Sequence, residues 1–167
     1  MKDQLEIKRI SKDAVPAAIE KAGQYRLLND PELAESICLD VLAVDPDNQK
    51  NLKTLILAVT DQFANPGSRV GPRHALEHVE KLESEYERIY YTGLIAEREA
   101  RAMLGRTHAN AHAYHGFRQA MEWYEQADAL APPGNHDARL RHNTCVRTIQ
   151  REHLEPLPPS EAELPLE

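Results

Sequence analysis

Residues 31–46, PELAESICLDVLAVDP, decide the fold, because their spacing returns at residues 117–133, FRQAMEWYEQADALAPP. Both segments contain four residues separated by steps of four, three and five: Ala34, Cys38, Val41 and Pro46 in the first, and Ala120, Tyr124, Ala127 and Pro132 in the second. Steps of four and three place three residues on one face of a helix, and the proline ends the helix just beyond. The spacing therefore predicts two helices, each packed closely against a neighbour.

The residues before the first segment complete a helical hairpin. Ala22 and Tyr25 lie twelve and nine residues before Ala34. Over residues 15–48 this pattern resembles a full tetratricopeptide repeat, a hairpin of about 34 residues whose copies stack. The resemblance implies an all-α fold in which antiparallel hairpins form a short right-handed solenoid.

The remaining sequence predicts two more hairpins and a capping helix. The expected helices after the first hairpin cover about residues 52–63, 72–84, 85–104, 117–130 and 135–153. We expect a charged lead-in at residues 1–14, one helical domain at residues 15–153, and a disordered, acidic, proline-rich tail at residues 154–167.

Charge and composition exclude several classes of function. The net charge is −7, but five acids lie in the last sixteen residues, so the rest has 20 basic against 22 acidic residues. A nearly neutral body does not predict nucleic-acid binding. No run approaches the roughly 18 apolar residues of a membrane span, and the charged first residues do not resemble a secretory signal. Cys38 and Cys145 lack metal-ligand spacing, so we expect buried thiols in a cytoplasmic protein.

The family resemblance also implies where a ligand binds. In such a solenoid the first helix of each hairpin lines a concave groove that holds an extended peptide or a chain terminus. The groove residues that we expect to contact a partner are Arg26, Lys50, Lys53, Tyr90, Arg98, Arg139, Asn143 and Arg147.

The last three of these residues form a basic stripe. Arg139, Asn143 and Arg147 are four residues apart, which aligns them along one helix. Arginine presents a planar fork that matches a carboxylate, and chaperone-binding members of the family clamp a terminal carboxylate with residues at such spacing. The stripe predicts an acidic or C-terminal-carboxylate partner; a solvated basic face is the alternative. A further hypothesis is that the acidic tail folds back onto the stripe and occupies the groove when no partner is present.

These features favour a non-catalytic adaptor that needs no cofactor and binds a protein or peptide, because no catalytic motif is present. Two alternatives remain open. His108, His112 and His115 crowd the predicted insertion between residues 105 and 116, and they are candidate metal ligands for a metal-binding protein or a small helical enzyme. A structural oligomerisation module is the second alternative, with the apolar second hairpin as a subunit contact.

Overall fold

The computed structural model describes residues 4–159, and the fold of this part is all-helical, as predicted. No strand occurs within this range. Its α-helices are α1 (Val15–Leu27), α2 (Pro31–Val44), α3 (Gln49–Thr60), α4 (Pro72–Val79), α5 (Glu85–Met103), α6 (Asn110–Leu130) and α7 (Asp137–Arg151).

Neighbours in sequence are also neighbours in space. Each helix packs against the next one along the chain, and the pairing of α5 with α6 is the most extensive. In addition, α1 contacts α3, and α3 contacts α5. The chain is therefore a series of packed helices in which α3 also contacts both α1 and α5.

Local capping residues explain where several helices begin, including α3, which starts at Gln49 and not near residue 52 as predicted. The side chains of Asp30, Asn48 and Ser84 accept hydrogen bonds from backbone N–H groups three residues later, at 3.3, 2.9 and 3.2 Å. Such caps satisfy N–H groups that have no partner inside the helix. Pro31 and Pro72 occupy the first turns of α2 and α4, where a missing N–H costs nothing.

The start of α6 differs from the prediction. We expected the helix to begin near residue 117, after a histidine-rich loop, but it begins at Asn110. Gly116, the last residue of the predicted insertion, lies inside α6 at its contact with α5. A Cβ atom at Gly116 would lie 2.8 Å from the Cβ of Ala100. This glycine therefore allows two helices to approach closely and does not end one.

Three groups of buried side chains stabilise the fold, and the smallest of them joins α1 to α2 through Val15, Ile19, Val41 and Val44. The amino-terminal core lies among α1 to α5 and is mainly aliphatic, with Leu52, Leu55, Ile56, Val59 and Leu82 at its centre. The carboxy-terminal core lies among α5, α6 and α7 and contains Phe117, Ala120, Tyr124, Ala127 and Cys145. Cys38 and Cys145 are fully buried free thiols, as predicted.

The two ends of the described chain lack regular helices. Residues 4–11 have no regular structure and precede a short 3-10 helix, Lys12–Ala14. At the other end, Leu154 packs into the carboxy-terminal core, and residues 155–159 are exposed. Residues 1–3 of the predicted lead-in and residues 160–167 of the predicted tail lie outside the described residues. Within the described range no helix is both long and apolar enough to cross a membrane.

Candidate functional site

Side-chain contacts connect α1, α3, α5 and α7, and we call these four helices the odd-helix row. Lys53 of α3 pairs with Glu87 of α5 at 2.7 Å. Arg141 of α7 contacts Glu97 of α5 at 3.3 Å. The groove residues predicted on α1, α3 and α5 therefore lie along one continuous set of helices.

Another contact in this row brings two predicted groove residues together. Asp61, directly after α3, accepts a hydrogen bond from Arg26 Nε at its Oδ2 and one from Arg98 Nη1 at its Oδ1, both at 2.7 Å. Arg26 lies near the end of α1 and Arg98 in α5. One carboxylate thus holds guanidinium groups from two different helices.

The charges of this cluster do not cancel. Two guanidinium groups share one carboxylate, which leaves one excess positive charge. The three side chains are 22%, 20% and 25% exposed for Arg26, Asp61 and Arg98, so solvent or a ligand reaches them. Among the described residues Arg98 donates to Asp61 alone, and a guanidinium group has five N–H donors. The cluster can therefore accept a further anionic group.

A cavity of about 280 Å³ opens beside these arginines. Its wall is formed by Arg26, Leu27, Asn29, Pro31, Asp61 and Arg98. The Leu27 side chain is 89% exposed, although leucine is normally buried in part. The cavity therefore combines a net positive charge with an apolar side chain that has little contact with the rest of the protein.

A second polar cluster lies deeper in the row, around Glu97, which is 1% exposed. Its carboxylate accepts hydrogen bonds from Tyr124 Oη at 2.6 Å, from Arg101 at 3.0 Å and from Arg141 at 3.3 Å. Arg141 also donates to the hydroxyl of Tyr90 at 3.2 Å. This cluster ties α7 to α5 and α6, and it places the predicted groove residue Tyr90 against a buried ion pair.

Proton equilibria in this second cluster follow from burial and from the Glu97 charge. Burial, and then the nearby carboxylate, raise the pKa of Tyr124 far above its ordinary value, so its hydroxyl remains a donor. Burial is the largest single effect on Arg141 and disfavours its charge, but the Glu97 carboxylate and the hydroxyls of Tyr124 and Tyr90 together outweigh burial and raise the pKa of Arg141. Tyr124 therefore remains a neutral donor and Arg141 remains positively charged at physiological pH.

The basic stripe predicted on α7 has a different environment. Arg139 and Arg147 are exposed, and Asn143 is half-buried. Arg139 pairs with Asp128 of α6 at 2.8 Å, whereas Arg26 and Arg98 meet each other through Asp61. Lys50 on α3 is also exposed. The structure thus divides the predicted groove residues between the cavity, the Glu97 cluster and the surfaces of α3 and α7.

Sequence reasoning missed Arg141, although a signal for it exists. Arg141 lies three residues after Ala138 and four before Cys145, both of which are buried. An arginine at such a position on a helix face indicates a buried acidic partner, because an unpaired buried charge is costly. The equal spacing of Arg139, Asn143 and Arg147 favoured a different set of residues on the same helix.

The histidines of the predicted insertion lie at the surface and do not form a cluster. His108 adopts a left-handed conformation (φ 61°) before α6, and His112 and His115 lie on that helix. Nε2 of His115 accepts a hydrogen bond from the backbone N–H of Leu157 at 3.5 Å, so the described part of the tail contacts α6. Within residues 4–159 no three His, Cys, Asp or Glu side chains are arranged to hold a metal ion.

Comparisons of the chain with protein-family models, curated proteins and solved structures find no match. A fold alone does not define a function, since one architecture serves many activities. What this protein does therefore has to be inferred from its own residues, and above all from the cavity between Arg26 and Arg98.

Proposed function

We propose that the protein is a non-catalytic adaptor that binds an acidic segment or chain terminus of a partner protein along the odd-helix row. The observation that carries this proposal is the cavity beside Arg26, Asp61 and Arg98, which has an excess positive charge and an exposed apolar wall. Charge-assisted hydrogen bonds from arginine to a carboxylate are both strong and directional.

The proposal includes a tetratricopeptide-like arrangement of the hairpins. Two features support it: the repeated spacing in α2 and α6, and the contacts of α1 with α3 and of α3 with α5. In stacked helical repeats each hairpin touches the next one, and the first helices line one extended surface. The odd-helix row would then be the concave surface on which the partner segment lies.

A protein or peptide partner fits the charge distribution better than a nucleic acid does. Outside the last sixteen residues the chain is nearly neutral, and several basic groups of the row have acidic neighbours. The remaining excess charge is local and suits one carboxylate. Two fully buried free thiols are consistent with a cytoplasmic location, which is part of the proposal.

Affinity capture with two matched double variants tests the proposal. Arg26→Gln/Arg98→Gln removes the cavity arginines, and Arg139→Gln/Arg147→Gln removes the same number of positive charges from the stripe on α7. We expect the unmodified protein and the stripe variant to capture the same partner, and the cavity variant to lose it, as read by quantitative mass spectrometry. Circular dichroism establishes that each variant remains helical.

Several results would contradict the proposal as stated. Loss of the partner in the stripe variant alone would move the binding site to α7. Equal capture by all three proteins would show that neither set of arginines contributes, and no reproducible partner at all would remove the adaptor function.

A further inference from the structure

We propose that the cavity beside Arg26 and Arg98 binds the C-terminal residue of a partner chain that ends in a bulky apolar side chain. We further propose that Asp61 makes this site selective for a singly charged carboxylate over a doubly charged phosphate group. Both statements rest on the proposed adaptor function, and they specify the chemistry of the segment that is bound.

The first step concerns charge. The residues that line the cavity include two arginines and one aspartate, so their sum is one positive charge. A carboxylate neutralises this charge, whereas a phosphate group, at about −1.5 to −2 near neutral pH, exceeds it. The second charge of a phosphate would lie beside Asp61 without a counter-charge of its own, and desolvating an uncompensated charge is unfavourable. The charge of the cavity therefore favours a carboxylate.

The second step concerns geometry. Asp61 binds Nε and Nη2 of Arg26 and Nη1 of Arg98, which fixes both guanidinium groups before a ligand arrives. The donors that do not face Asp61 are then held in place for a second acceptor, and such preorganisation reduces the entropy lost on binding. Asp61 is accordingly a positioning residue as well as a determinant of selectivity.

The third step concerns the apolar wall and the size. Leu27 and Pro31 border the cavity beside the arginines, and Leu27 is 89% exposed. A C-terminal residue carries its carboxylate and its side chain on the same Cα atom, so both can reach adjacent charged and apolar surfaces. The volume of about 280 Å³ lies just below the roughly 300–1,000 Å³ of pockets for drug-sized ligands. The cavity is thus suited to one residue and not to a folded segment.

The test uses the full-length protein and four short peptides. Binding of each peptide is monitored through the NMR signals of the arginine Nε–H groups. The reference peptide is Gly-Ser-Gly-Ser-Leu with a free C-terminus. The second has a C-terminal amide, the third ends in Ser, and the fourth is amidated and contains phosphoserine before Leu. The peptides are titrated to about 5 mM, which detects even the weak binding expected of a single anchoring residue.

We expect the reference peptide to shift the Arg26 and Arg98 signals. The amide should bind at least about tenfold more weakly, because it lacks the charge that the arginines recognise. The peptide ending in Ser should bind more weakly than the one ending in Leu, and the phosphopeptide more weakly than the free acid. Arg98→Gln should abolish the response to the reference peptide.

The Asp61→Asn variant tests the role of the carboxylate directly. It raises the charge of the cavity from one to two, so the preference should move toward the phosphopeptide by at least about tenfold relative to the free acid. The introduced amide retains an acceptor oxygen, and unchanged helicity and arginine chemical-shift dispersion establish that the site remains formed. An unchanged preference would overturn the selectivity proposed for Asp61.

Failure of this inference is distinguishable from failure of the adaptor proposal. Equal binding of the acid and the amide, a preference for phosphoserine in the unmodified protein, or no arginine shift with any peptide would each overturn the inference. A partner that is still captured through Arg26 and Arg98 would then leave the adaptor function intact, with an internal acidic segment or a phosphopeptide as the ligand.

Discussion

Helices α2 and α6 share one spacing, yet they stabilise the two halves of the molecule in different ways. At the second of the four spaced positions α2 has Cys38, whose thiol lies in the aliphatic amino-terminal core. In α6 the same position is Tyr124, whose hydroxyl donates to the buried carboxylate of Glu97 at 2.6 Å. Among the described residues, the carboxy-terminal core with Tyr124 at this position contains a buried ionic cluster, and the amino-terminal core with Cys38 does not.

This difference shows that a repeated backbone pattern does not determine the interactions within each repeat. Burying a carboxylate is unfavourable unless its oxygens are hydrogen-bonded and its charge is compensated. Tyr124, Arg101 and Arg141 together meet this requirement for Glu97. The amino-terminal core has no comparable requirement at Cys38, and its stability comes mainly from apolar burial.

The largest expected effect comes from removing the carboxylate at the centre of the ionic cluster. Glu97→Ala leaves Arg141 without its counter-charge, and the free energy of unfolding should fall by about 3–5 kcal/mol. Urea titration followed by circular dichroism measures the change. Arg139→Ala is the control, because its ion pair with Asp128 lies outside the cluster and its side chain is 59% exposed, so its loss should cost at most about 1 kcal/mol. Similar values for the two variants would contradict a stabilising role for the buried cluster.

A matched truncation examines the aliphatic half. Leu55 is fully buried in the amino-terminal core, so Leu55→Ala should lower the free energy of unfolding by about 2–5 kcal/mol through lost burial and a cavity. Leu39 on α2 is 47% exposed, and Leu39→Ala should change stability by about 0.5 kcal/mol or less. Thermal unfolding of both variants provides the measurement, and an equal response would be inconsistent with the described core.

Two glycine substitutions should act with opposite signs. At Gly116 a Cβ atom would lie 2.8 Å from the Cβ of Ala100, so Gly116→Ala should destabilise the protein by about 1–3 kcal/mol through overpacking. At Gly23 on α1 a Cβ atom meets no other atom within 4 Å, and Gly23→Ala should stabilise the helix by about 0.5–1 kcal/mol. Chemical denaturation of both variants measures the change in the free energy of unfolding. An increase in stability for Gly116→Ala would contradict the close approach of α5 and α6.

The last comparison concerns pH and uses one thiol in each half; its effect is absent at neutral pH and grows only above pH 9. Burial raises the pKa of Cys38 and of Cys145 from 9.0 to about 12 in the folded protein. The unfolded thiols therefore lose their protons first, so stability is complete below pH 9 and falls as the pH rises from 9 toward 12. Each thiol should contribute a slope of about 1.4 kcal/mol per pH unit in this window. Cys38→Ala and Cys145→Ala should each remove one such slope, and an unchanged pH profile would show that the thiol is not shielded.

Much of the fold follows from local sequence signals. The caps Asp30, Asn48 and Ser84 and the prolines of the first turns place the starts of α2 to α5. The start of α6 was predicted wrongly, because the family resemblance indicates an insertion before residue 117, whereas the helix extends back to Asn110. A glycine within a helix gives no local sign of whether it permits close packing, and only the position of Ala100 on the neighbouring helix shows this for Gly116.

The candidate site was predictable in its residue types but not in its grouping. Arg26 and Arg98 follow from the family resemblance, whereas their shared contact with Asp61 spans 35 and 37 positions of sequence and depends on how the helices pack. Arg141 was missed because the regular spacing of the basic stripe favoured other residues. The buried side of the same helix carried the better signal, a charged residue between Ala138 and Cys145.

Site-specific photo-crosslinking in cells tests the central claim most directly. A photoreactive p-benzoylphenylalanine in place of Leu27, at the rim of the cavity, should form a covalent product with the partner. The product should disappear when Arg26 and Arg98 are also changed to Gln. The same photoreactive residue at Leu39, on α2 outside the odd-helix row, should give no such product. A partner that crosslinks from position 39 and not from position 27 would contradict binding at the odd-helix row.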